Sequence, residues 1–371
     1  MNKHKNKLIC VIGGSGYVGK NIIKMLLEYT ATDIRVLDES VFDPFEVFPE
    51  YSERITFKQV NLLRTEIIRD LIKDSDLVIN TSGPFLRFGS LIAKTIIEAG
   101  INGIDICNDY SVTANILSFD GLAKKKRVSF LTGFGFSPGI SNLLVMRAVQ
   151  GMEKIDDVYI NSVYPLNGLS GNALLEHFIY ISLNKLPVLK KGKITLVPAF
   201  SKNHICNFPY PFKERKVSIT GGPEVITLSE YMDINNISVK SSILPSLLEK
   251  AIKYSVYSGI TQDDLSRKKL ASLLSGVFRY SFFNRNNLSS LKIKVRGLKK
   301  RNYTEIDISS IDSFDSLVSY LAVASTIMLL NDELKNIGVF PPEGCLNENK
   351  TLNYIAKMGF NYSITEKFIS I

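Results

Sequence analysis

The sequence is poor in the residues from which metal sites and disulfide frameworks are built. Among its 371 residues there are only three histidines and four cysteines. The cysteines lie far apart and form no C-x-x-C pair, which argues against a disulfide framework or a zinc site and is typical of a reducing cytoplasm. The histidines form no H-x-x-x-H motif, so a metal site built from histidine is not expected.

Long apolar segments suited to a membrane or to a signal peptide are also missing. Residues 128–146 carry no charge, but several glycines, a proline and an asparagine interrupt them. Residues 316–331 are helical in character and shorter than the roughly 20 residues that a membrane span needs. The basic residues 1–7 precede an apolar run too short for a signal-peptide core. We therefore expect a soluble, cytoplasmic protein.

The charge balance is positive but diffuse. Lysine and arginine (45) exceed aspartate and glutamate (36), which gives a formal net charge of +9. The densest basic runs, 124–127 and 299–301, are not interleaved with the aromatic residues of a nucleic-acid track. Most such runs are solvated faces or loop tips. The charge therefore predicts a modest attraction for anionic substrates or cofactors, and no nucleic-acid partner.

The first residues of the chain carry the pattern of a dinucleotide-binding turn. A buried strand is predicted at 8–12, because this run is apolar and largely β-branched. It leads directly into Gly13, and apolar residues then recur at helical spacing. A strand, a glycine-rich turn and a helix in this order are the context in which G-x-G-x-x-G is informative. The residues predicted to bind a pyrophosphate are Gly14, Ser15, Gly16, Tyr17, Val18 and Gly19.

Asp38 ends a second predicted strand, 34–37, and predicts which dinucleotide binds. A dinucleotide fold places at this point the carboxylate that accepts hydrogen bonds from the adenosine ribose. A 2′-phosphate would meet its negative charge, and the following Glu39 and Ser40 supply no arginine to neutralise that phosphate. NAD is therefore favoured, with NADP as the alternative. The other interpretation of Asp38 is an aspartate that only caps a turn.

Strands and helices continue to alternate up to residue 131. Further strands are predicted at 55–60, 77–80, 101–106 and 128–131, with helices at 65–73, 91–99 and 117–126. This order predicts an α/β fold with a doubly wound parallel sheet, a Rossmann fold, whose ligands lie at the carboxyl ends of the strands. The residues expected near the cofactor after the third and fourth strands are Asn61, Leu62, Thr81, Ser82, Gly83, Pro84 and Phe85.

A second α/β domain with an open, mixed sheet is predicted for residues 146–314. Strands are expected at 156–164, 194–197, 217–220, 291–295 and 303–308, and helices at 172–183 and 243–255. We expect residues 1–145 and 315–371 to form the dinucleotide-binding domain, because helix 314–330 and the tail are predicted to return to it. The second sheet would then cover the nicotinamide edge and offer its outer face to a partner subunit.

The candidates for proton transfer are few. Asp105 and Asp109 lie at or just after the end of the fifth strand, where a partly buried carboxylate with a raised pKa can serve as acid or base. A cap on the next helix is an equally good interpretation of Asp109. His177, inside a helical stretch, and Tyr164, at a strand end of the second domain, are weaker candidates.

Several motifs together resemble those of the saccharopine dehydrogenase-like oxidoreductases. The specific ones are Gly13–Gly19, 80–85 with Gly89, 104–109 and 133–142, and looser likenesses occur at 189–200, 222–228 and 338–343. One difference is Ser137, where the family often has aspartate, so an acid/base role at this position is not carried over.

The resemblance implies a Rossmann domain joined to a substrate domain that often also dimerises. It implies NAD(P)-dependent hydride transfer at a C–N bond, such as imine reduction, on an amino acid, opine or polyamine-like substrate. A homodimer that binds a small amine or carboxylate substrate is therefore expected. Two alternatives stay open: a reductase of a C=C or C=O bond in a biosynthetic intermediate, and a non-catalytic dinucleotide-binding regulator.

Overall fold

The computed structural model describes residues 4–165, 172–259, 261, 263–278 and 287–369, and these form two compact units. The first unit runs to Gly139 and includes Val318–Asn347, and the second contains Ile140–Leu317 and the chain from Glu348 onward. The sequence-based division at 145 and 315 therefore differs in the tail. The residues after Glu348 join the second unit because their last strand, Ser363–Phe368, pairs with a strand of its sheet.

Within the described residues, seven parallel strands form the sheet of the first unit. They are β1 (Leu8–Ile12), β2 (Asp33–Asp38), β3 (Ile55–Gln59), β4 (Leu77–Asn80), β5 (Gly103–Asp105), β6 (Ser129–Leu131) and β15 (Gly338–Phe340). The spatial order is β15-β6-β5-β4-β1-β2-β3, so the strand order reverses between β1 and β4. The predicted doubly wound parallel sheet is confirmed, and its topological switch point lies beside the glycine-rich turn.

The helices of the first unit connect these strands. They are α1 (Tyr17–Tyr29), α2 (Pro44–Val47), a 3-10 turn (Pro49–Arg54), α3 (Thr65–Ile72), α4 (Phe85–Ala99), α5 (Tyr110–Leu117), α6 (Asp120–Lys126) and α13 (Pro342–Cys345). Strands β1 and β4 are almost entirely buried, as expected for a parallel sheet that helices cover on both faces. Helix α4 begins six residues before its predicted start, because Phe85 and Phe88 already pack into the core.

The second unit holds a mixed sheet with helices. Its strands are β7 (Met152–Pro165), β8 (Lys185–Lys190), β9 (Lys193–Pro198), β10 (His204–Asn207), β11 (Glu214–Ile219), β12 (Ile234–Leu244), β13 (Leu288–Lys299), β14 (Asn302–Ser313) and β16 (Ser363–Phe368). Their order is β10-β11-β12-β7-β13-β14-β16, with β8 paired to β12 and β9 paired to β8. The predicted open mixed sheet is thus confirmed, and it has more strands than expected.

The helices of the second unit are α7 (Ile140–Ala148), α8 (Asn172–Ser182), α9 (Glu224–Tyr231), α10 (Ser246–Tyr257), α11 (Asp264–Phe278) and α14 (Glu348–Ala356). Helix α12 (Phe314–Leu330) begins in the second unit and continues in the first. The helix predicted at 243–255 begins later, because strand β12 occupies the chain up to Leu244. Among the helices that the structure describes, none is long and apolar enough to cross a membrane.

Candidate dinucleotide site

The turn between β1 and α1 is built on two glycines that the protein's own packing requires. Gly13 has a φ of +82°, and a Cβ on it would lie 2.6 Å from the backbone nitrogen of Ser82. A Cβ on Gly19 would lie 2.5 Å from the carbonyl oxygen of Gly13. A side chain at either position would therefore push the turn away from the sheet, in agreement with the role of Gly19 that the sequence predicts.

Gly16 differs from its neighbours, because the protein's own packing does not require a glycine there. It is the N-cap of α1, with an extended backbone (φ −67°, ψ 164°) that any residue can adopt. A Cβ at this position would meet only the carbonyl oxygen of Gly13, at 3.2 Å. The missing side chain leaves space at the start of a helix whose first N–H groups have no intrahelical acceptor. Such a cradle suits a pyrophosphate, with N–H groups of Ser15, Tyr17 and Val18 among those predicted to border it.

Asp38 connects this turn to the end of β2. Its Oδ2 accepts a hydrogen bond from the backbone N–H of Ser15 (3.0 Å), and its Oδ1 accepts one from Ser40 (3.0 Å). The carboxylate is therefore fixed beside the phosphate cradle, where each oxygen still has capacity for a donor such as a ribose hydroxyl. Its two backbone bonds also show that the turn-capping interpretation describes part of its role.

The loops after β3 and β4 hold the remaining predicted cofactor residues. The side chain of Asn61 accepts a hydrogen bond from the N–H of Leu63 (2.9 Å), which forms a local turn. The neighbouring Leu62 is buried, and its N–H donates to the carboxylate of Glu39 (3.3 Å). These contacts fix the loop after β3 next to the end of β2.

The loop from Thr81 to Phe85 is held on both sides. The N–H and the hydroxyl of Thr81 both donate to the carbonyl of Ile12, at 2.8 and 2.9 Å, which ties the loop to the end of β1. The N–H and the hydroxyl of Ser82 donate to Oδ1 of Asn80, at 3.1 and 2.5 Å. Gly83 follows, Pro84 is the N-cap of α4, and Phe85 is its first, buried residue. Sequence reasoning missed the role of Asn80, although an asparagine two residues before a serine is a common turn signal.

Asp105 lies at the end of β5 and is completely buried. Its Oδ1 accepts hydrogen bonds from the N–H groups of Cys107 (3.0 Å) and Gly133 (2.9 Å) and from the hydroxyl of Thr132 (3.0 Å). Burial raises the pKa of this carboxyl to about 6, and the three donors act in the opposite direction. The side chain thus joins the end of β5 to the segment that follows β6.

Asp109 is the N-cap of α5. Its Oδ1 accepts hydrogen bonds from the N–H and the hydroxyl of Ser111 (2.9 and 2.6 Å) and from the N–H of Val112 (3.0 Å). The capping interpretation is therefore correct for this residue. The thiol of Cys107 between the two aspartates is also fully buried, and burial raises its pKa well above the ordinary value, so it is not a ready nucleophile.

Tyr164 and His177 belong to the second unit. Tyr164 is buried, and its ring packs edge-on against Phe178 (5.3 Å between centroids) and Phe314 (5.9 Å). His177 lies half-buried on α8, with its ring 5.9 Å from that of Phe178. The structure thus brings these two side chains to one aromatic cluster, and their assignment as proton donors stays a prediction.

A buried polar pair near the start of α7 had no assigned role in the sequence. The hydroxyl of Ser141 donates to Oε1 of Glu224 at 2.7 Å, and both residues are fully buried. An acidic residue at the first position of a helix usually stabilises the helix N-terminus, so the sequence gave no reason to expect Glu224 to be buried. Across the described ranges of the chain, no group of three or more histidine, cysteine or acidic side chains is placed to hold a metal ion.

Comparison with known proteins identifies the segment that carries this geometry. Residues 9–131 match the family model of the saccharopine dehydrogenase NADP binding domain. This segment is similar to saccharopine dehydrogenase NADP binding domains. It contains the glycine-rich turn, Asp38, the loop after β4 and Asp105, so the resemblance drawn from the sequence motifs is confirmed for the first unit.

Solved structures extend the likeness of fold to the whole chain. Saccharopine dehydrogenase (L-Glu forming) from Saccharomyces cerevisiae has a TM-score of 0.71 at 14% identity, over 98% of this chain and 100% of that one. Homospermidine synthase from Legionella pneumophila, in complex with NAD, has a TM-score of 0.65 at 12% identity, over 99% and 93% of the two chains. The fold is therefore that of saccharopine dehydrogenase.

A curated relative matches over a shorter segment. Cinnamoyl-CoA reductase 2 from Arabidopsis thaliana is 29% identical over 133 residues, which are 35% of this chain and 36% of the reductase. The match thus spans about a third of the length of that relative.

Proposed function

We propose that the protein is an NAD(P)-dependent oxidoreductase that transfers hydride at a C–N bond of an amino acid, opine or polyamine-like substrate. The observation that carries this proposal is the cradle at Gly16, a position where the protein's own packing does not require a glycine. It lies within the segment that matches the saccharopine dehydrogenase NADP binding domain. The substrate class is supported by the shared fold with a saccharopine dehydrogenase and a homospermidine synthase.

Each group of predicted cofactor residues is assigned to one part of the dinucleotide. The turn Gly14–Gly19 borders the pyrophosphate, which the first N–H groups of α1 hold, because the N–H of Ser15 already donates to Asp38. Asp38 accepts from the adenosine ribose, and Asn61 and Leu62 border the adenine. The loop from Thr81 to Phe85 lies beside the nicotinamide, which supplies or accepts the hydride when the cofactor is bound. The Asp38 carboxylate favours NAD over NADP. NAD is the cofactor in the Legionella structure, whereas the name of the family model refers to NADP.

The contacts of the two aspartates favour positioning over proton transfer. Asp105 already accepts from three donors, and Asp109 is occupied by the N-terminus of α5. Proton transfer by either one stays a prediction, as do the roles of His177 and Tyr164. We further propose a cytoplasmic homodimer that recognises the amine and carboxylate groups of a small substrate.

Binding and turnover experiments separate this function from its alternatives. The purified protein is titrated with NADH and NADPH, and the nicotinamide absorbance is then followed with pairs of an amine and a 2-oxo acid. Oxidation with such a pair supports the proposal. Oxidation only with aldehydes, thioesters or enoyl compounds would assign the reductase of C=O or C=C bonds, and tight cofactor binding without turnover would assign a regulator.

A further inference from the structure

Around residues 157–161 of β7, the sheet of the second unit has one apolar and one largely polar face. Alternate residues of a strand point to opposite faces. On β7, Val158 and Ile160 are buried and pair with apolar residues of β12 and β13. The residues between and beside them, on the opposite side, form what we call the polar face. By register, its central members are Tyr159, Asn161, Ser238, Lys240, Lys292, Lys294 and Asp307.

Three lysines converge on this face. Lys240 on β12 and Lys292 on β13 are both in register with Asn161, so the amide lies between two lysines in one row. Lys294, two residues further along β13, is in register with Tyr159. The charges of all three lysines, together with that of Asp307, act on the thiol of Cys206, a residue of the edge strand β10.

The carboxylates on this face are already shared among the other cations. Lys292 and Lys294 share Asp307, at 3.6 Å each. Glu305 is 2.7 Å from Lys294, but it lies at the same distance from Arg296 and is shared with it. Asp157 of β7 is in register with Arg296, so three carboxylates face Lys292, Lys294 and Arg296 before Lys240 is counted.

Lys240 adds a half-buried ammonium group without an acid. Its Nζ lies 3.0 Å from Nδ1 of His204, and within the described residues it has no carboxylate partner. Burial and the charge of Lys202 lower the pKa of Lys240, while burial and the neighbouring lysines lower that of His204. Burial is the larger cause of both shifts, and the neighbouring ammonium groups act in the same direction.

The same face contains polar atoms that lack partners. Asn161 is 3% exposed, and its Oδ1 is buried without a hydrogen bond. The hydroxyl of Ser238, diagonal to it on β12, is also buried and has no partner in the part of the chain that the structure describes. Buried polar atoms are normally hydrogen-bonded, and an asparagine amide can rotate to present either its oxygen or its nitrogen. A bound polar group would satisfy these atoms.

We propose that the polar face of the second sheet binds a doubly charged oxyanion, the phosphate or dicarboxylate group of a small metabolite, between Lys240 and Lys292 and above Asn161. Two ammonium groups supply charge-assisted hydrogen bonds, and the amide between them adds a neutral donor. This site belongs to the second unit, and the inference does not depend on the proposed redox function.

Calorimetry on the full chain at low ionic strength tests this site, with inorganic phosphate and succinate as probes. We expect one saturable site per chain, and a loss of affinity of about tenfold or more in Lys240→Met and in Lys292→Met, because each removes a charge-assisted bond. The matched control is Lys250→Met, an exposed lysine of α10 whose loss should leave the affinity unchanged. The probe that binds more tightly shows whether the site prefers a phosphate group or a dicarboxylate.

A third variant tests whether a loss of anion binding could come from a loss of folding. Asn161→Asp has almost the same shape and places a negative charge between two lysines, so the fold should be kept, with an unchanged circular dichroism spectrum, while anion binding is lost. Absence of binding by the wild type, or equal affinities in wild type and variants, would overturn the proposal. So would a dimer that dissociates in Asn161→Asp while phosphate does not bind, since a second copy would then cover the face.

Discussion

A valine at position 16 should separate cofactor binding from folding. Gly16 has an extended backbone, and its Cβ would touch only one backbone oxygen, at a tight 3.2 Å, so the substitution should cost about 1 kcal/mol of stability, which includes the loss of a favourable N-cap residue. The valine methyl groups would instead occupy the space in front of the N-terminus of α1. Displacing a pyrophosphate from there removes at least two hydrogen bonds to a charged group, about 3–6 kcal/mol in total. The predicted loss of dinucleotide affinity is about 100-fold or more.

Titration of NADH and NADPH by fluorescence or calorimetry measures this loss, with thermal unfolding recorded for each variant. Gly121→Val is the matched control, since a Cβ on Gly121 in α6 meets no atom within 4 Å. Gly19→Ala is the opposite control, because its Cβ would press on the turn itself and should lower both affinity and stability. Retained tight binding by Gly16→Val would refute the phosphate cradle, and with it the proposed function.

Substitutions at three positions test the aspartates. Asp38→Asn removes the charge that opposes a 2′-phosphate, so NAD should weaken by about tenfold relative to NADP; an unchanged ratio of dissociation constants would remove Asp38 from the ribose site. The Asp105 carboxyl has a pKa of about 6, raised from 3.8 by burial, so the folded chain binds this proton more tightly than the unfolded chain does. Its contribution to the free energy of unfolding should therefore fall by about 3 kcal/mol as the pH rises through this window, and Asp105→Asn should abolish that slope in urea unfolding. Asp109→Ala should cost about 1–2 kcal/mol of stability through the lost cap, and Asp109→Asn should restore most of it; turnover that is absent in both variants would instead support proton transfer.

The first unit was predictable from sequence because its signals are local. Strands β1 and β4 are short buried runs, β1 leads directly into Gly13, and β2 and β5 each end at an aspartate. The glycine-rich turn likewise needs only seven consecutive residues to be recognised. The register and the order of the strands then follow from the general rule for doubly wound sheets.

The second unit was harder because its signals are distant or absent. Strand β12 has one polar face and one apolar face, with Asn236, Ser238 and Lys240 between buried residues, and the sequence analysis overlooked it. Strand β16 is exposed at all six positions, so no hydrophobic pattern marks it. Only its pairing with β14, more than fifty residues earlier in the chain, places the tail in this unit.

The two aspartates after β5 show where sequence reasoning about the site ends. The position of Asp105 at a strand end was correctly located, but Thr132 and Gly133, which bind its side chain, lie 27 and 28 residues away. These contacts with distant residues, which the sequence does not show, determine the environment of the carboxyl. A proton donor must reach the substrate, whereas Asp105 is enclosed by donors from its own unit, and its burial is what raises its pKa. The same raised pKa that marks a candidate acid in a cleft is therefore also expected of an enclosed carboxyl that fixes two loops at the edge of the sheet, and proton transfer by Asp105 stays a prediction.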